Sequence, residues 1–276
     1  SAFNNGGFSL YTDSMMGFSQ DMFFIAPVML AVIVGGLGFP VLIELHERLW
    51  RLRLQPGGKA KRFSLHTRLT LWMTISLIGL GALFIGLLEW NNPGTLGGLN
   101  TWDKLVNTFF SAVMPRSGGF NSIDITLMDP ATWLGIDLLM VIGGGSASTA
   151  GGLKVTTIAV LIFIVYTEIR GETAVNVGNR RLPRSIQRQA LTLVALSTTA
   201  ILGTTLLFAA TTDFSLDEIL FDVVSAAATV GLSTGITSEL PAFHQFWLAF
   251  LMFIGRLGPV VVASALALRI TKRHYE

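Results

Sequence analysis

Long apolar stretches alternate with short polar or glycine-rich segments along the whole chain. A helix needs about 20 mostly apolar residues to cross a bilayer, and five regions of this sequence qualify. They run roughly over residues 22–45, 69–88, 133–166, 190–210 and 246–268. The third region is too long for one ordinary span and is interrupted by glycines. The pattern predicts an all-α polytopic membrane protein in which one spanning helix is broken.

Two shorter amphipathic segments, residues 102–114 and 216–228, lie between the predicted spans. Each would form a helix about 20 Å long, which is too short to span a bilayer but suits a re-entrant pore helix. A pore helix that enters from outside aims its negative carboxyl end at the membrane centre and favours a cation there. Ser215 and Glu218 have the spacing of a capping box at the start of the second helix.

Three short segments resemble one another: Asn5-Gly6-Gly7-Phe8, Ser117-Gly118-Gly119-Phe120 and Thr229-Val230-Gly231-Leu232. Their third residues are 112 positions apart, and each segment precedes a long apolar stretch. One copy alone is typical of an ordinary turn, but three evenly spaced copies predict repeated span–pore loop–span units around a common axis. Backbone carbonyls can replace the hydration shell of a monovalent cation, and glycine lets strands approach closely. The predicted ion filter consists of Asn5, Gly6, Gly7, Ser117, Gly118, Gly119, Thr229, Val230 and Gly231.

Charged residues are scarce and unevenly distributed. They make up 13% of the chain, against about a quarter in soluble domains. Residues 48–68, 170–188 and 269–273 contain 15 of the 19 lysines and arginines. Because short basic loops stay in the cytoplasm, these segments are predicted inside, with Lys104, Arg116 and all three motifs outside. The outer carboxylates would raise the local cation concentration, although helix capping and solvation explain most of them.

The break in the third apolar region, residues 143–152, has five glycines among ten residues. Glycine in a helix interior costs about 1 kcal/mol relative to alanine, so this segment is predicted to be non-helical. Irregular backbone at membrane depth must line a cavity or be buried in protein. A position below the filter predicts a gate, and a simple packing break is the alternative. The predicted gate residues of this segment are Gly143, Gly144, Gly145, Ser146, Ser148, Thr149, Gly151 and Gly152.

These motifs resemble the pore subunit of the Trk/Ktr/HKT family of potassium transporters, and the bacterial Ktr type in particular. The matching segments are residues 1–8, 116–121, 143–154, 229–235 and 255–259. The resemblance implies four span–pore helix–filter–span units in one chain around a pseudo-fourfold ion pore. The chain opens inside a motif without an initiator Met and is interpreted as a fragment, or as a protein whose start is missing. Residues 1–50 then form the second repeat from its filter onward, 51–170 the third repeat and 171–276 the fourth.

The same resemblance implies potassium uptake, with the glycine-rich loop obstructing the pore beneath the filter. Glycine at all three visible filter positions favours potassium, whereas serine at the missing first position accompanies sodium permeation in some plant members. Arg256 lies mid-span, where a charge must face a cavity or a partner. We expect it to contact carbonyls or hydroxyls of residues 143–152 and to repel cations below the filter. Lys154 is expected to act similarly or to extend toward the membrane surface.

No bound cofactor is predicted, since the chain has no cysteine and only four scattered histidines. Potassium at the filter carbonyls is the expected substrate, with sodium as a candidate activator. By resemblance, the chain is expected to form a homodimer in the lipid bilayer of a bacterial inner membrane and to bind a cytoplasmic ring of nucleotide-binding regulatory subunits. The net charge of +2 is too small to suggest a nucleic-acid partner.

Other functions fit the sequence less well. A phosphate-binding loop requires glycine directly before its lysine, but Leu153 separates Gly152 from Lys154. An intramembrane serine protease needs a base such as histidine near its serine, and no histidine lies mid-span. We therefore predict no enzymatic activity. A secondary transporter with discontinuous helices explains the broken span but not three motifs. A sodium-permeable protein or an ion-coupled symporter of the same family stays open.

Overall fold

The computed structural model describes residues 1–54, 63–171, 174–177 and 180–258. Several sequence predictions lie outside these ranges. They are the basic tail at 269–273, the end of the last predicted span at 259–268, Pro259 of the last matching segment, and Lys59, Lys61 and Arg62 of the first basic segment.

The described part of the chain is almost entirely helical, which confirms the predicted all-α class. Its α-helices are α1 Met22–Leu37, α2 Phe39–Leu54, α3 Leu65–Glu89, α4 Thr101–Val113, α5 Pro130–Val141, α6 Val155–Ile169, α7 Arg184–Thr211, α8 Leu216–Ala227 and α9 Ala242–Leu257. Two two-residue strands, β1 Asn176–Val177 and β2 Arg180–Arg181, pair antiparallel between α6 and α7. Strands this short have no periodicity, so the sequence did not reveal them.

Helices α3 and α7 are long and apolar enough to cross a membrane, with 25 and 28 residues. Only 22% and 17% of their most apolar windows are buried inside the protein. The outward faces carry large apolar side chains such as Trp72, Leu83 and Leu206. An apolar surface of this extent marks a contact with another protein or a membrane. The predicted spans 69–88 and 190–210 are therefore confirmed as membrane-length helices.

The first predicted span, residues 22–45, is wrong as a single helix. Helices α1 and α2 meet at Gly38 with a bend of 105°. In a continuous helix the carbonyl of Gly36 would accept a hydrogen bond from residue 40, but residue 40 is proline and has no N–H. Gly38 has φ +93°, a conformation that residues with a side chain rarely adopt. The Gly38-Phe39-Pro40 sequence therefore breaks the helix.

Helices α4 and α8 have the lengths and positions predicted for the two short segments. Asn100 caps α4 by accepting a hydrogen bond from the Asp103 N–H. Ser215 and Glu218 form the predicted capping box at α8. Helix α8 packs among α5, α7 and α9, while α4 packs along α3 and α1. Each helix is therefore held inside the bundle, and each runs directly into a glycine motif.

The long third region is broken as predicted. Helix α5 ends at Val141 and α6 begins at Val155, with an irregular loop of residues 142–154 between them. The two ends of this loop are joined by backbone hydrogen bonds from Gly143 N to Leu153 O at 2.9 Å and from Leu153 N to Val141 O at 3.2 Å. The loop, called the 142–154 loop below, is thus closed at its neck.

A buried carboxylate ties α3 to α5 beside their adjoining ends. Glu89 is fully buried at the end of α3 and accepts hydrogen bonds from Asp129 N at 3.0 Å and Thr95 Oγ1 at 2.7 Å. It also accepts from Asn92 Nδ2 at 2.7 Å and Thr132 Oγ1 at 2.5 Å. Bonds from these four donors satisfy both carboxylate oxygens, so Glu89 has a structural role.

Candidate functional site

The three glycine motifs meet in space although they are far apart in sequence. A β-carbon on Gly119 would lie 2.6 Å from the Cα of Gly7 and 2.3 Å from the carbonyl oxygen of Val230. A β-carbon on Gly231 would lie 3.5 Å from the Cα of Gly119. A β-carbon on Gly7 would lie 3.4 Å from the carbonyl oxygen of Gly118. The junction therefore has no room for a side chain at Gly7 or Gly119, and the carbonyl oxygens of Gly118 and Val230 face it.

The motifs also share an unusual backbone. Their third residues, Gly7, Gly119 and Gly231, have φ of +68°, +72° and +97°. Their first residues, Asn5, Ser117 and Thr229, have φ of +50°, +63° and +52°. Positive φ is uncommon for residues with a side chain, and for a β-branched residue it is an outlier. The same two left-handed positions thus recur in all three motifs.

Helices α4 and α8 hold the second and third motifs at their carboxyl ends. Gly118 N donates to Met114 O at 2.7 Å, and Val230 N donates to Ser225 O at 2.8 Å. Ser225 Oγ also accepts from Gly231 N at 3.2 Å. The carboxyl end of a helix carries partial negative charge. Both helices therefore present this charge directly behind the motif junction.

Asp222 supports the chain that leaves the third motif. It is 4% exposed and accepts hydrogen bonds from Thr234 N at 2.9 Å, Ser233 Oγ at 2.8 Å and Thr237 Oγ1 at 2.5 Å. The sequence analysis gave this carboxylate no specific role. A signal was available, because a carboxylate in a pore helix followed by several hydroxyl residues favours such a network.

Arg116, which the sequence analysis places on the outer side of the membrane, is buried inside the protein. It is 6% exposed, and its Nη2 donates to Thr74 Oγ1 at 3.2 Å and to Gly143 O at 3.4 Å. Its backbone carbonyl accepts a hydrogen bond from Asn5 Nδ2 at 3.2 Å. Arg116 therefore links the second motif to α3, to the first motif and to the 142–154 loop. The signal was its place directly after the carboxyl end of α4, at the start of the glycine motif.

The 142–154 loop docks on the bend between α1 and α2. Gly145 N donates to Gly36 O at 2.7 Å, and Thr149 N donates to Gly35 O at 3.3 Å. In return, Phe39 N donates to Ala147 O at 3.1 Å. Backbone groups that the helix break leaves without helical partners are thus satisfied by the loop.

The same loop touches all three motifs. Thr149 Oγ1 donates to Asn5 Oδ1 at 2.8 Å and to Phe3 O at 3.1 Å. Gly151 N donates to Ser117 Oγ at 3.1 Å. A β-carbon on Gly151 would lie only 1.9 Å from Thr229 Oγ1. The structure thus brings the predicted loop and filter residues into direct contact.

The two predicted gate cations occupy different places. Lys154 Nζ donates to Ala150 O at 2.6 Å, inside the loop. Arg256 makes no hydrogen bond with residues 143–152 in the part of the chain that the structure describes, so the expected contact is wrong. Its Nη2 donates to Asn4 O at 3.4 Å. Gly255 packs against the Ala227 carbonyl, and Arg256 is turned about 100° from that contact along the helix.

A family model and two relatives with cation transport in their descriptions match this chain. Residues 1–272 match the TrkH family, described as cation transport protein. Ktr system potassium uptake protein B of Bacillus subtilis (strain 168) is 37% identical over 97% of this chain and 58% of its own length. Potassium/sodium uptake protein NtpJ of Enterococcus hirae is 33% identical over 99% of this chain and 59% of its own length. The chain thus spans less than two thirds of these relatives.

A solved structure has the same fold. The crystal structure of the potassium transporter TrkH from Vibrio parahaemolyticus aligns with a TM-score of 0.74 over 93% of this chain and 54% of that chain. Its sequence identity is 17%. At this identity the likeness concerns the fold alone.

Proposed function

The chain belongs to the TrkH family of cation transport proteins, and from that premise we propose that it forms part of a potassium uptake pathway across a bacterial cell membrane. The observation that carries the proposal is the convergence of three motifs that are 112 residues apart. Carbonyl oxygens at such a junction can replace the hydration shell of potassium. The carboxyl ends of α4 and α8 add negative potential at the same place.

In this proposal the filter consists of the backbone of residues 5–7, 117–119 and 229–231. A ring of carbonyls needs close approach of the strands, and the contact between Gly7 and Gly119 leaves no space for a side chain at either residue. Selection then depends on the number and spacing of carbonyl dipoles. No covalent chemistry is involved, because the ion exchanges water oxygens for protein oxygens and returns to water.

The 142–154 loop acts as the gate in the same proposal. It lies against all three motifs and is held by backbone hydrogen bonds to α1 and by Arg116. A loop in this position obstructs the path of an ion that has left the filter. Its many glycines allow a second conformation at little steric cost. Lys154 and Arg256 place positive charge near the loop, which raises the barrier for a cation while the loop is in place.

The arrangement in the membrane follows from charge. We propose that the basic segments 48–68 and 170–188 face the cytoplasm and that the motifs open outward. A homodimer and a cytoplasmic ring of nucleotide-binding regulatory subunits complete the proposed assembly. The cytoplasmic segment between α6 and α7, which carries the β1–β2 hairpin, is the proposed contact for such a ring.

Sodium transport is the second candidate function. It is favoured by one observation, the 33% identity to a protein named for potassium and sodium uptake. The two functions differ in what the filter admits, since both use the same path and the same loop.

The test is ion uptake by the full-length parent of this chain in a bacterium that lacks its own potassium uptake systems. We expect growth at low potassium and rubidium uptake that excess sodium does not inhibit. A well-expressed protein that carried sodium and failed to restore growth would overturn the potassium assignment and leave the sodium alternative. A variant with Ser122→Ala serves as an expression control, because Ser122 is buried and its hydroxyl has no hydrogen-bond partner within the described ranges.

A further inference from the structure

We propose that the first side chain of each motif, at Asn5, Ser117 and Thr229, is a positioning residue that ties its motif to the next motif and to the 142–154 loop. This inference rests on the proposed function, because it assigns the parts that hold the filter and the loop in register. The three positions are called the base positions below.

The hydrogen bonds between motifs follow one rule. Asn5 Nδ2 donates to the carbonyl oxygen of Arg116 at 3.2 Å, and Ser117 Oγ donates to the carbonyl oxygen of Ala228 at 3.3 Å. Each acceptor is the residue directly before the next base position. Both bonds span 111 residues. An amide and a hydroxyl make the same connection, so the position matters more than the residue type.

Thr229 is the third base position, and its hydroxyl is buried without a hydrogen-bond partner among the described residues. Other hydroxyls, such as that of Ser122, are also buried without a partner among these residues, so it is the base position of Thr229 that distinguishes its hydroxyl. By the same rule, this hydroxyl is a donor for the equivalent carbonyl of another pore repeat in the full-length protein. The bonds then form a chain that runs from repeat to repeat around the pore.

The same three side chains face the loop. The Asn5 side chain accepts from Thr149 Oγ1 at 2.8 Å, and the Ser117 hydroxyl accepts from Gly151 N at 3.1 Å. Thr229 Oγ1 packs on Gly151 at a distance that excludes any side chain there. Each base side chain thus has one contact with the loop, and two of them also bond to a neighbouring motif.

Backbone strain supports a role beyond packing. All three base positions have positive φ, which asparagine tolerates better than serine or threonine. Strained residues persist only where their surroundings determine them, and they cluster at functional sites. Glycine would relieve the strain at Ser117 and Thr229, but it would remove the side chain that reaches the loop.

The experiment compares four variants of the full-length protein in proteoliposomes. Ser117→Ala removes a bond to the next motif and a bond to the loop. Thr149→Val removes only loop contacts, and Ser122→Ala removes a buried hydroxyl that has no partner. Ser117→Thr keeps the hydroxyl and has the side chain found at the third base position. Each variant is made with and without a cysteine at Ala147, an exposed loop residue. These 276 residues contain no cysteine, and any cysteine elsewhere in the full-length protein is replaced first.

Two quantities are measured: the ratio of sodium to rubidium uptake, and the rate at which the thiol at position 147 reacts with a water-soluble reagent. We expect Ser117→Ala to raise both about fivefold, as for one lost hydrogen bond. Thr149→Val should raise only the thiol reaction rate, and Ser122→Ala should change neither quantity. Ser117→Thr should keep both quantities at their wild-type values. The inference is overturned if Ser117→Ala behaves like Ser122→Ala, or if Ser117→Thr is no better than Ser117→Ala.

If the Ser117→Ala protein does not insert into the membrane, the test compares Ser117→Val with Ser117→Thr. These two side chains have the same shape, and only threonine has the hydroxyl. Equal thiol rates in this pair would also overturn the inference. The thiol reaction needs no transport. If the protein does not take up potassium, the proposed function is refuted, and the thiol reaction still tests the loop contacts. If uptake is intact but Ser117→Val and Ser117→Thr have equal thiol rates, only the role of the base positions is refuted.

Discussion

At the scale of single residues, the motif junction depends on glycines that leave no space for a side chain. We expect Gly119→Ser to raise sodium uptake relative to rubidium uptake in the full-length protein. Its β-carbon would lie 2.3 Å from the Val230 carbonyl oxygen, so the carbonyl must move and the ring must widen. Isotope uptake with both ions measures the ratio.

The matched control for this prediction is Gly98→Ser. A β-carbon at Gly98 would have no atom within 4 Å, so the ratio should stay at the wild-type value. An unchanged ratio in Gly119→Ser, at normal expression, would mean that the junction does not select the ion.

Asp222 is a second residue with a measurable effect. Asp222→Asn should lower the free energy of unfolding by about 1–3 kcal/mol, because hydrogen bonds to a charged acceptor are lost. The apparent melting temperature of the purified full-length protein is the measurement. Asp213→Asn is the control, since Asp213 is exposed, and surface changes usually stay within about 0.5 kcal/mol. Equal melting temperatures would show that the Asp222 network does not stabilise the fold.

The chemistry of single residues was only partly predictable from the sequence. The three motif glycines, which the structure brings close together, could be picked out because three copies share one spacing. The bond from Arg116 to the loop was not predicted, whereas a bond from Arg256 to the loop was, since a position in sequence does not say which way a side chain points on its helix. Arg116 bonds to the loop, whereas Arg256 bonds to the Asn4 carbonyl. Such contacts depend on the packing of distant elements, which periodicity does not encode.

At the scale of elements, the 142–154 loop is the part that should respond to shortening. Removal of residues 146–149 would delete the Thr149 contacts and leave the bond from Gly143 N to Leu153 O at the neck. We expect faster rubidium uptake in proteoliposomes, because the obstruction beneath the motifs is smaller. Uptake at or below the wild-type rate, in a deletion variant shown to be inserted, would count against a gate.

The lengths of elements followed closely from the sequence, while one bend did not. Helices α4 and α8 begin and end within one or two residues of the predicted segments, because caps and glycines mark their ends. The bend at Gly38 was missed, because the hydrophobic pattern continues through residues 22–45. The signal was Pro40 together with the glycines just before it, because a hydropathy average does not include the effect of proline and glycine on helix geometry.

At the scale of the whole molecule, the distribution of basic residues predicts an orientation that labelling can test. Single cysteines at Asp213 and Ser185 would lie at opposite ends of α7, and both residues are exposed. With a membrane-impermeant thiol reagent on intact cells, we expect labelling at 213 and none at 185. The reverse pattern would invert the proposed orientation, and labelling of 185 after cell lysis controls for its reactivity.

The fold class and the broken span were accessible from hydropathy and glycine content, because both follow from local composition. The convergence of the motifs followed only from their equal spacing, which is a property of the whole chain. The order of the repeats in a complete pore stays a prediction. Exchange of hydrogen bonds between the loop and α1 could not be foreseen, since it joins segments more than 100 residues apart.

Because of the bend at Gly38, water must hydrate backbone carbonyls of α1 whenever the 142–154 loop moves away. While the loop is docked, Gly145 N and Thr149 N occupy the carbonyls of Gly36 and Gly35. Pro40 cannot take over as donor to Gly36, and an unpaired buried carbonyl costs about 1–3 kcal/mol. Water must therefore enter as the loop leaves, so opening and wetting of the cavity are a single event. Osmotic stress, which withdraws water from such cavities, would then hold the protein closed.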